Sequence, residues 1–177
     1  MQIDADCTRV EKLSYKLMQL IVLKQSGEIV PTEQEVSVLL DMVQSACAEQ
    51  LKSRGLSLIV TNRMDTLRMD MDLLCGMILN LIDNAGKASK PEQTIEILAE
   101  NNTISVKDCG DGIPESELSR LTQPFYMVDK ARSRKQGSIG LGLALVEEIA
   151  RLHGAHLVFE SEVGIGTTVK VVFENEE

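Results

Sequence analysis

The sequence predicts an α+β sandwich in which helices cover one face of a sheet. The hydrophobic period changes in an orderly way along the chain, between helical spacing and the alternation of strands. With 177 residues, 44% of them hydrophobic, the chain is long enough for one domain with a sizeable core. It has three Phe, two Tyr and no Trp, so we expect that core to consist mainly of Leu, Ile, Val and Met.

Composition also excludes several classes of function. The formal net charge of −9 should repel nucleic acid and anionic membrane surfaces, so neither is expected as a partner. The four cysteines lie far apart without a CxxC pair, and the chain has only two histidines, which indicates reduced thiols rather than a zinc site or disulfides. Because no apolar run approaches the ~18 residues of a membrane span and the N-terminus lacks a signal peptide, we expect a soluble, cytoplasmic chain.

Two helices are predicted at the start of the chain. The first has apolar residues at the 3, 4, 3 spacing of a seam that packs on another helix, and it ends at Gly27. Its seam consists of Val10, Leu13, Leu17 and Leu20. After a turn at Pro31 and Thr32, the apolar spacing from Val36 to Leu51 predicts a second helix.

The middle of the chain alternates between strands and a third helix. LSLIVT from Leu56 has the composition of a strand. Asp70 is a suitable N-cap for a third helix, which extends to about Ser89 because Pro91 prevents its continuation. The alternating segments TIEILAE and TISVKD flank an Asn-Asn turn, so together they predict a hairpin.

The last part of the chain begins with the glycine loop DCGDGI and a short helix. A polar stretch from Tyr126 to Ser138 follows, and a loop of this length is usually functional or disordered. Apolar spacing from Leu141 to His153 predicts a further helix. HLVFES and TTVKVVF then predict the two final strands.

One face of the third helix carries Asn80, Asn84 and Lys87 beside its apolar stripe. Amide oxygens can hold a divalent cation, and a lysine can neutralise a phosphate. A solvated helix edge has the same pattern, so this motif alone leaves both interpretations open. Asp83 points away from the stripe, and we interpret it as a solvent-facing charge.

The loop DCGDGI lies directly after a predicted strand. Gly110 and Gly112 would allow a ligand to approach the backbone, and Asp108 could accept a hydrogen bond from an exocyclic amine. Turns of this composition are also common where no ligand binds, so the loop by itself does not define a site.

A basic cluster precedes a glycine-rich helix start in this acidic chain. The cluster consists of Lys130, Arg132, Arg134 and Lys135. Gly137, Gly140 and Gly142 leave backbone N–H groups uncovered at the positive end of the helix, an arrangement that binds phosphate. The alternative is a solvated basic run followed by an ordinary turn.

The segments NLIDNAGKAS, DCGDGI, PFYMVDKARSRKQGSIGLGLALVEEIARLHG and GIGTTV occur in this order and spacing. They resemble the N, G1, F, G2 and G3 boxes of the catalytic ATP-binding domain of bacterial sensor histidine kinases, over about residues 35 to 173. The resemblance implies the Bergerat fold of the gyrase, chaperone, histidine kinase and mismatch-repair superfamily, a two-layer α/β sandwich with a mixed sheet and helices on one face. It also implies that the chain binds ATP with Mg²⁺ and presents the γ-phosphate to a histidine.

The resemblance assigns roles to individual residues. Asn84 resembles the Mg²⁺ ligand, with Asn80 as its helper, and Lys87 resembles the phosphate-contacting lysine. Asp108 matches the adenine-binding aspartate, and Thr167 matches the threonine beside the adenine. The other matched positions are Gly110, Gly112 and Ile113 around the aspartate, Phe125 and Tyr126 at the start of the ATP lid, Lys130, Arg132 and Arg134 within the lid, and Gly140, Leu141, Gly142 and Leu143 in the phosphate cradle.

Four residues depart from the commonest family pattern. Met127 stands in the place of an arginine, and Ala88 in the place of a frequent aromatic residue. Ser138 and Ile139 replace the usual Gly-Thr pair. A cation and a hydroxyl near the phosphates are therefore missing, and we expect Lys130, Arg132, Arg134 and Ser138 to compensate.

The resemblance also implies an organisation of the chain. Residues 1–27 match the end of the dimerisation and phosphoacceptor helix with its linker, and residues 28–177 match the catalytic domain. The phosphoacceptor is expected outside this chain, because His153 ends a helix and His156 begins a strand. Implied partners are the phosphoacceptor helix domain of the same kinase, in a homodimer, and a response regulator. A missing N-terminal part is expected to anchor the full-length kinase in the membrane.

Two alternative functions stay open at this point. Hydrolases of the gyrase or chaperone type carry a carboxylate at the first N-box position, where this chain has Asn80, so hydrolysis is disfavoured. A degenerate nucleotide-binding interaction module without kinase activity is favoured by Met127 and Ile139. A nucleotide-binding titration separates such a module from a working kinase.

Overall fold

A computed structural model describes residues 2–129 and 139–174 of the chain. Its elements, in chain order, are α1 (Gln2–Ser26), β1 (Thr32–Glu35), α2 (Val36–Ser53), β2 (Ser57–Asn62), β3 (Thr66–Met69), α3 (Met71–Ala88), β4 (Thr94–Glu100), β5 (Thr103–Asp108), α4 (Glu115–Leu118), α5 (Gly142–Leu152), β6 (Ala155–Glu162) and β7 (Gly166–Phe173). Within these residues, no helix has both the length and the apolarity needed to cross a membrane.

Five strands form a mixed sheet in the order β2-β4-β5-β7-β6. β2 and β4 are parallel, whereas the other neighbouring pairs are antiparallel, including the predicted hairpin of β4 and β5. Asn101 and Asn102 form its turn with φ of 50° and 55°, a conformation that Asn tolerates better than most residues. One sheet face is covered by helices, so the predicted α+β sandwich is confirmed, including its mixed sheet.

α3 packs on the sheet, with α2 and α5 as its neighbours in the helical layer. It begins at Asp70, whose side chain accepts a hydrogen bond from the Leu73 N–H at 3.0 Å, as the predicted N-cap requires. Its apolar stripe is buried, in agreement with the sequence: Leu74, Met77, Ile78, Leu81, Ile82 and Ala85. This orientation leaves the neighbouring polar face of α3 at the rim of the core.

The seam of α1 is only partly as predicted. α1 packs on α5, and Leu13, Leu17 and Leu20 contact the core, joined by Leu23. Val10 is 63% exposed and does not take part. A cavity of about 310 Å³ lies where α1 faces α3 and α5. The contact of α1 with the rest of the molecule is therefore centred on its second half.

A second, two-stranded sheet was not predicted. β1 pairs with β3 in antiparallel fashion, from Thr32 opposite Met69 to Glu35 opposite Thr66. The predicted turn at Pro31 and Thr32 is therefore replaced by a strand from Thr32. The four residues of β1 are all polar, TEQE, so their sequence has no alternation of apolar and polar positions to indicate a strand.

His153 connects the end of α5 to the start of α3. Its Nε2 accepts a hydrogen bond from the Asp70 N–H at 3.0 Å, and its Nδ1 lies 2.7 Å from the Ile149 carbonyl oxygen. This pattern fits the neutral imidazole with its proton on Nδ1. Burial lowers the pKa of His153, against the opposing effect of the Ile149 carbonyl and of Asp70. His153 is thus a structural residue, as the sequence suggested.

This arrangement predicts a loss of stability in mild acid. Because the pKa of His153 is lower in the folded state, the unfolded chain binds more protons as the pH falls below the ordinary histidine pKa of about 6.5. We expect the free energy of unfolding to fall over that range in the wild type. His153→Gln should cost about 1 kcal/mol at pH 7.5 and flatten this pH dependence. Urea unfolding at several pH values measures both, with His156→Gln, at an exposed position, as the control. An unchanged pH dependence in His153→Gln would contradict the assignment.

Candidate functional site

A cleft of about 710 Å³ opens between the polar face of α3 and the chain around residues 126–129 and 139–143. It continues into an inner pocket of about 90 Å³ between α3 and the sheet. The two spaces share the lining residues Asn84, Ala88, Gly112, Ile113, Leu121 and Leu143. A ligand with a small planar ring system and an attached polar chain would match the inner pocket and the cleft.

A buried carboxylate lies in the inner pocket. Asp108 is the last residue of β5 and follows Ile104 and Val106 on the face of the strand that the helices cover, which leaves it 7% exposed. Its Oδ1 accepts hydrogen bonds from the N–H groups of Gly110 at 2.8 Å and Thr167 at 3.3 Å. Burial raises the pKa of Asp108, and the two N–H groups oppose this effect. An acceptor in such surroundings selects a ligand that donates a hydrogen bond.

Strand β7 holds the neighbouring wall of the inner pocket. Thr167 pairs with Asp108 across β5 and β7, and its Oγ1 lies 2.8 Å from the Ser161 Oγ. The same Ser161 oxygen accepts a hydrogen bond from the Ile113 N–H at 2.8 Å. Gly166 has a φ of 144°, and a Cβ there would lie 2.1 Å from the Asp108 carbonyl oxygen. Close packing of two backbones therefore positions the carboxylate and the hydroxyl.

The cleft contains an unsatisfied polar atom beside a helix N-terminus. Among the described residues, Asn84 Nδ2 is the buried side-chain nitrogen or oxygen that lacks a hydrogen-bond partner. A Cβ at Gly142 would lie 3.5 Å from Asn80 Oδ1 and 3.7 Å from both amide atoms of Asn84. α5 starts at Gly142, and the side chain of its N-cap residue, Leu141, makes no capping hydrogen bond. Uncapped N–H groups at the positive end of a helix favour an anion in this part of the cleft.

These features fit a phosphate group with a divalent cation. Because no hydrogen bond among the described residues fixes Asn84 Nδ2, the amide can turn by 180° and exchange the places of its nitrogen and oxygen. In either orientation, Asn84 can present an oxygen to a cation. A glycine at the start of α5 leaves space that a side chain would fill. Mg²⁺ takes few protein ligands when phosphates and water supply the others, so a single amide is an adequate contribution.

The interpretation of Asp83 as a solvent-facing charge is wrong. Its Oδ2 lies 2.7 Å from the Lys87 Nζ, and its Oδ1 accepts hydrogen bonds from Arg54 Nη2 at 3.1 Å and Gln50 Nε2 at 2.8 Å. Burial opposes ionisation, but the hydrogen bonds and charges of Lys87 and Arg54 lower the pKa of Asp83 overall. The end of α2 lies beside this face of α3, which the periodicity of α3 alone cannot reveal.

Asn80 is engaged through both atoms of its amide. Its Nδ2 donates to the Gly76 carbonyl oxygen at 2.9 Å, and its Oδ1 accepts a hydrogen bond from the Lys16 Nζ at 2.8 Å. Lys16 also lines the cleft, together with Gln50 and Arg54. Sequence reasoning missed these three residues, because they come from α1, from α2 and from the residue after α2, outside the motifs. No local pattern distinguishes them from surface residues.

Most of the predicted residues meet in the two spaces. Those that line the inner pocket or the cleft are Asn84, Lys87, Asp108, Gly112, Ile113, Tyr126, Gly140, Leu141, Gly142, Leu143 and Thr167. Gly110 positions Asp108, because its N–H donates the hydrogen bond to Asp108 Oδ1 described above. Phe125 is 54% exposed, and its N–H donates to the Gly140 carbonyl oxygen at 2.7 Å, so it joins the two sides of the predicted lid through its backbone. The predicted lid residues Lys130, Arg132 and Arg134 lie outside the described residues.

The chain is similar in sequence to known proteins. Residues 69–177 match the model of the family described as histidine kinase-, DNA gyrase B-, and HSP90-like ATPase. The circadian input-output histidine kinase CikA of Synechococcus elongatus is 39% identical over 120 residues, which are 66% of this chain and 16% of that protein. The sensor protein SrrB of Staphylococcus aureus is 32% identical over 166 residues, 90% of this chain and 28% of that protein. The chain thus spans less than a third of each of these curated relatives.

Solved structures show the same fold at low sequence identity. Full-length ShkA in complex with AMPPNP has a TM-score of 0.77 and 19% identity, over 93% of this chain and 36% of that one. The cytoplasmic segment of the histidine kinase QseC has a TM-score of 0.68 and 18% identity, over 94% of this chain and 95% of that one. Both likenesses extend beyond the residues that the family model matches, to most of the chain.

Proposed function

The chain belongs to the histidine kinase-, DNA gyrase B- and HSP90-like ATPase family, and on this premise we propose that it is the ATP-binding catalytic domain of a sensor histidine kinase. One observation carries the proposal: the pocket with the buried Asp108 opens, past Asn84, into a cleft at the N-terminus of α5. A purine with an exocyclic amine fits the pocket, and a phosphate chain fits the cleft. The similarity to CikA and SrrB favours a sensor kinase over other members of the family.

Each contact follows from the chemistry of the site. Asp108 accepts a hydrogen bond from the adenine amine, while Thr167 lies beside the base. The N–H groups at the start of α5 bind phosphate. Lys87, which pairs with Asp83, either turns from this carboxylate to the phosphate or contacts both. Asn84 would hold Mg²⁺, which, when bound, neutralises part of the phosphate charge. Asn80 stands where the hydrolases of this family carry a carboxylate, and an amide cannot act as a base, which disfavours hydrolysis of ATP.

We also propose how the chain works within a longer kinase. Residues 1–27 are the end of the dimerisation and phosphoacceptor helix with its linker, and residues 28–177 are the catalytic domain. The γ-phosphate passes to a histidine outside this chain, since both ring nitrogens of His153 are engaged in the fold and His156 lies in strand β6 rather than on a helix. The partners are the phosphoacceptor helix domain of the same homodimeric kinase and a response regulator. The domain works in the cytoplasm, and a further part of the kinase anchors it to the membrane.

The first test is the dependence of ATP binding on Mg²⁺. Asn84→Ala should weaken binding of Mg-ATP by about tenfold and change binding of metal-free ATP little, because the amide acts through the cation. Calorimetric titrations with and without Mg²⁺ measure both affinities. Gln44→Ala, which removes an exposed amide from α2, is the control and should behave as the wild type. Equal losses for both forms of ATP would contradict the role of Asn84.

The second test separates the kinase from an interaction module. Met127 and Ile139 line the cleft, so this chain places two uncharged side chains where phosphate must enter. A module would fail to bind ATP, or would bind it and transfer nothing. Incubation of the chain with γ-labelled ATP and a separately supplied phosphoacceptor helix domain should label that domain on histidine. Binding without transfer to any such domain would favour the module.

A further inference from the structure

A lysine from α1 lies at the far end of the cleft. Lys16 donates a hydrogen bond from its Nζ to Asn80 Oδ1 at 2.8 Å, although 64 positions separate the two residues. Its placement depends on the docking of α1, in which Leu20 and Leu23 are only 5% and 9% exposed. α1 precedes the region that the family model matches, which begins at residue 69. This cation therefore enters the cleft from outside the matched domain.

The position of Lys16 along α3 indicates which part of a nucleotide it would meet. Ala88 lines the inner pocket at the end of α3, and Asn84 lies one turn before it. Asn80 lies eight positions before Ala88, or about 12 Å along the helix axis. A base in the inner pocket, with phosphates that follow α3 past Asn84, would place its last phosphate nearest to Lys16.

The surroundings of Lys16 suit a terminal phosphate. The place where Gly142 would carry a Cβ lies 3.5 Å from Asn80 Oδ1, so the N-terminus of α5 and the Lys16 ammonium approach the same amide. Helix N–H groups and an ammonium together form an anion site. Met127 also lines the cleft and brings no charge to it, so Lys16 is one of the few cations that the described residues offer there, with Arg54 and Lys87.

We propose that Lys16 binds the terminal phosphate of ATP, so that the docking of α1 completes the site and makes it selective for the triphosphate. This proposal rests on the proposed function, because it requires that the cleft binds ATP. It adds a positioning contact from the helix that leads towards the phosphoacceptor. A domain whose α1 has left the cleft should hold ATP little better than ADP.

The test compares ATP with ADP in the complete chain. Lys16→Met keeps most of the side chain but removes the charge, and it should weaken Mg-ATP by about tenfold, as expected for one charge-assisted hydrogen bond. Its affinity for ADP should stay within about twofold of the wild type, because ADP lacks the contacted phosphate. Lys16→Arg keeps the charge and should preserve the preference for ATP. Lys24→Met removes an exposed lysine from the same helix and should change neither affinity.

The outcomes are distinguishable. Equal losses of ATP and ADP affinity in Lys16→Met would overturn the proposal, since they indicate a general change of the cleft. Unchanged or tighter ATP binding in Lys16→Met would also overturn the proposal. It would mean that Lys16 contacts Asn80 without binding phosphate, or that it hinders the entry of ATP. If Lys16→Met also lowers the melting temperature, the Lys16→Arg variant decides. Retention of the ATP preference in Lys16→Arg supports the role of the positive charge, and loss of that preference overturns the proposal. Failure of the wild-type chain to bind ATP would overturn this proposal and the proposed function together.

Discussion

Replacement of Asp108 by Asn is expected to weaken ATP binding by about a hundredfold without lowering the free energy of unfolding. The Asn oxygen can keep the hydrogen bonds that Asp108 Oδ1 accepts from Gly110 and Thr167. The second oxygen then becomes an NH₂ group, which places a donor against the donor of the adenine amine. Recognition is lost, whereas the hydrogen bonds that support the fold are retained.

The free energy of unfolding of Asp108→Asn should rise, whereas its affinity for ATP falls. Because burial raises the pKa of Asp108 in the fold, ionisation of this carboxylate destabilises the folded state, and that cost appears as the pH rises through the folded pKa. A neutral amide removes the cost at neutral pH. Urea unfolding and calorimetric titration at pH 7 measure both effects, with Asp41→Asn on the exposed face of α2 as the control. Unchanged ATP affinity in Asp108→Asn would show that the base binds elsewhere.

Gly166→Ala is expected to be the most destabilising change in the hairpin of β6 and β7. A Cβ at Gly166 would meet the Asp108 carbonyl oxygen at 2.1 Å, and the φ of 144° is unfavourable for alanine. The loss should reach about 3 kcal/mol or more, since backbone strain and overpacking each cost about 1–3 kcal/mol. ATP affinity should fall too, because relief of the contact displaces Asp108.

Gly164→Ala is the matched control in the same turn. Gly164 also has a positive φ, of 84°, but apart from its chain neighbours no atom of the described residues lies within 4 Å of the position of its Cβ. Only strain is expected, about 1–2 kcal/mol, with ATP affinity retained. Urea unfolding and ATP titration of the two variants compare these effects. Equal losses of stability would mean that the strands separate easily at this point and that the position of Asp108 does not depend on Gly166.

The elements with a strong local signal were predictable from the sequence. The cap at Asp70 and the apolar stripe from Leu74 to Ala85 are properties of neighbouring residues, and both are confirmed. Asp108 follows the same logic, because alternation after Ile104 and Val106 turns it inwards. Motif order then indicated the fold, since four weak patterns in register are far more specific than any one of them.

The remainder depends on contacts between distant parts of the chain. β1 has no apolar residue, so only its pairing with β3 makes it a strand. Asp83 is drawn into ion pairs by Arg54, which is 29 positions away. Lys16 reaches Asn80 only because α1 folds back onto the helical layer. The roles of individual site residues towards a nucleotide stay predictions, which the variants above can test.

The burial of Asp108 also bears on which purine the site accepts. Guanine carries a carbonyl oxygen where adenine has its amine, and that oxygen would face the buried carboxylate of Asp108, so that two acceptors oppose each other. Sites built around one buried hydrogen bond reject analogues that cannot form it by factors of about 10⁴ or more. If the domain serves a kinase as proposed, a single desolvated side chain would thus make phosphate transfer depend on the adenylate pool of the cell and not on its supply of guanylate.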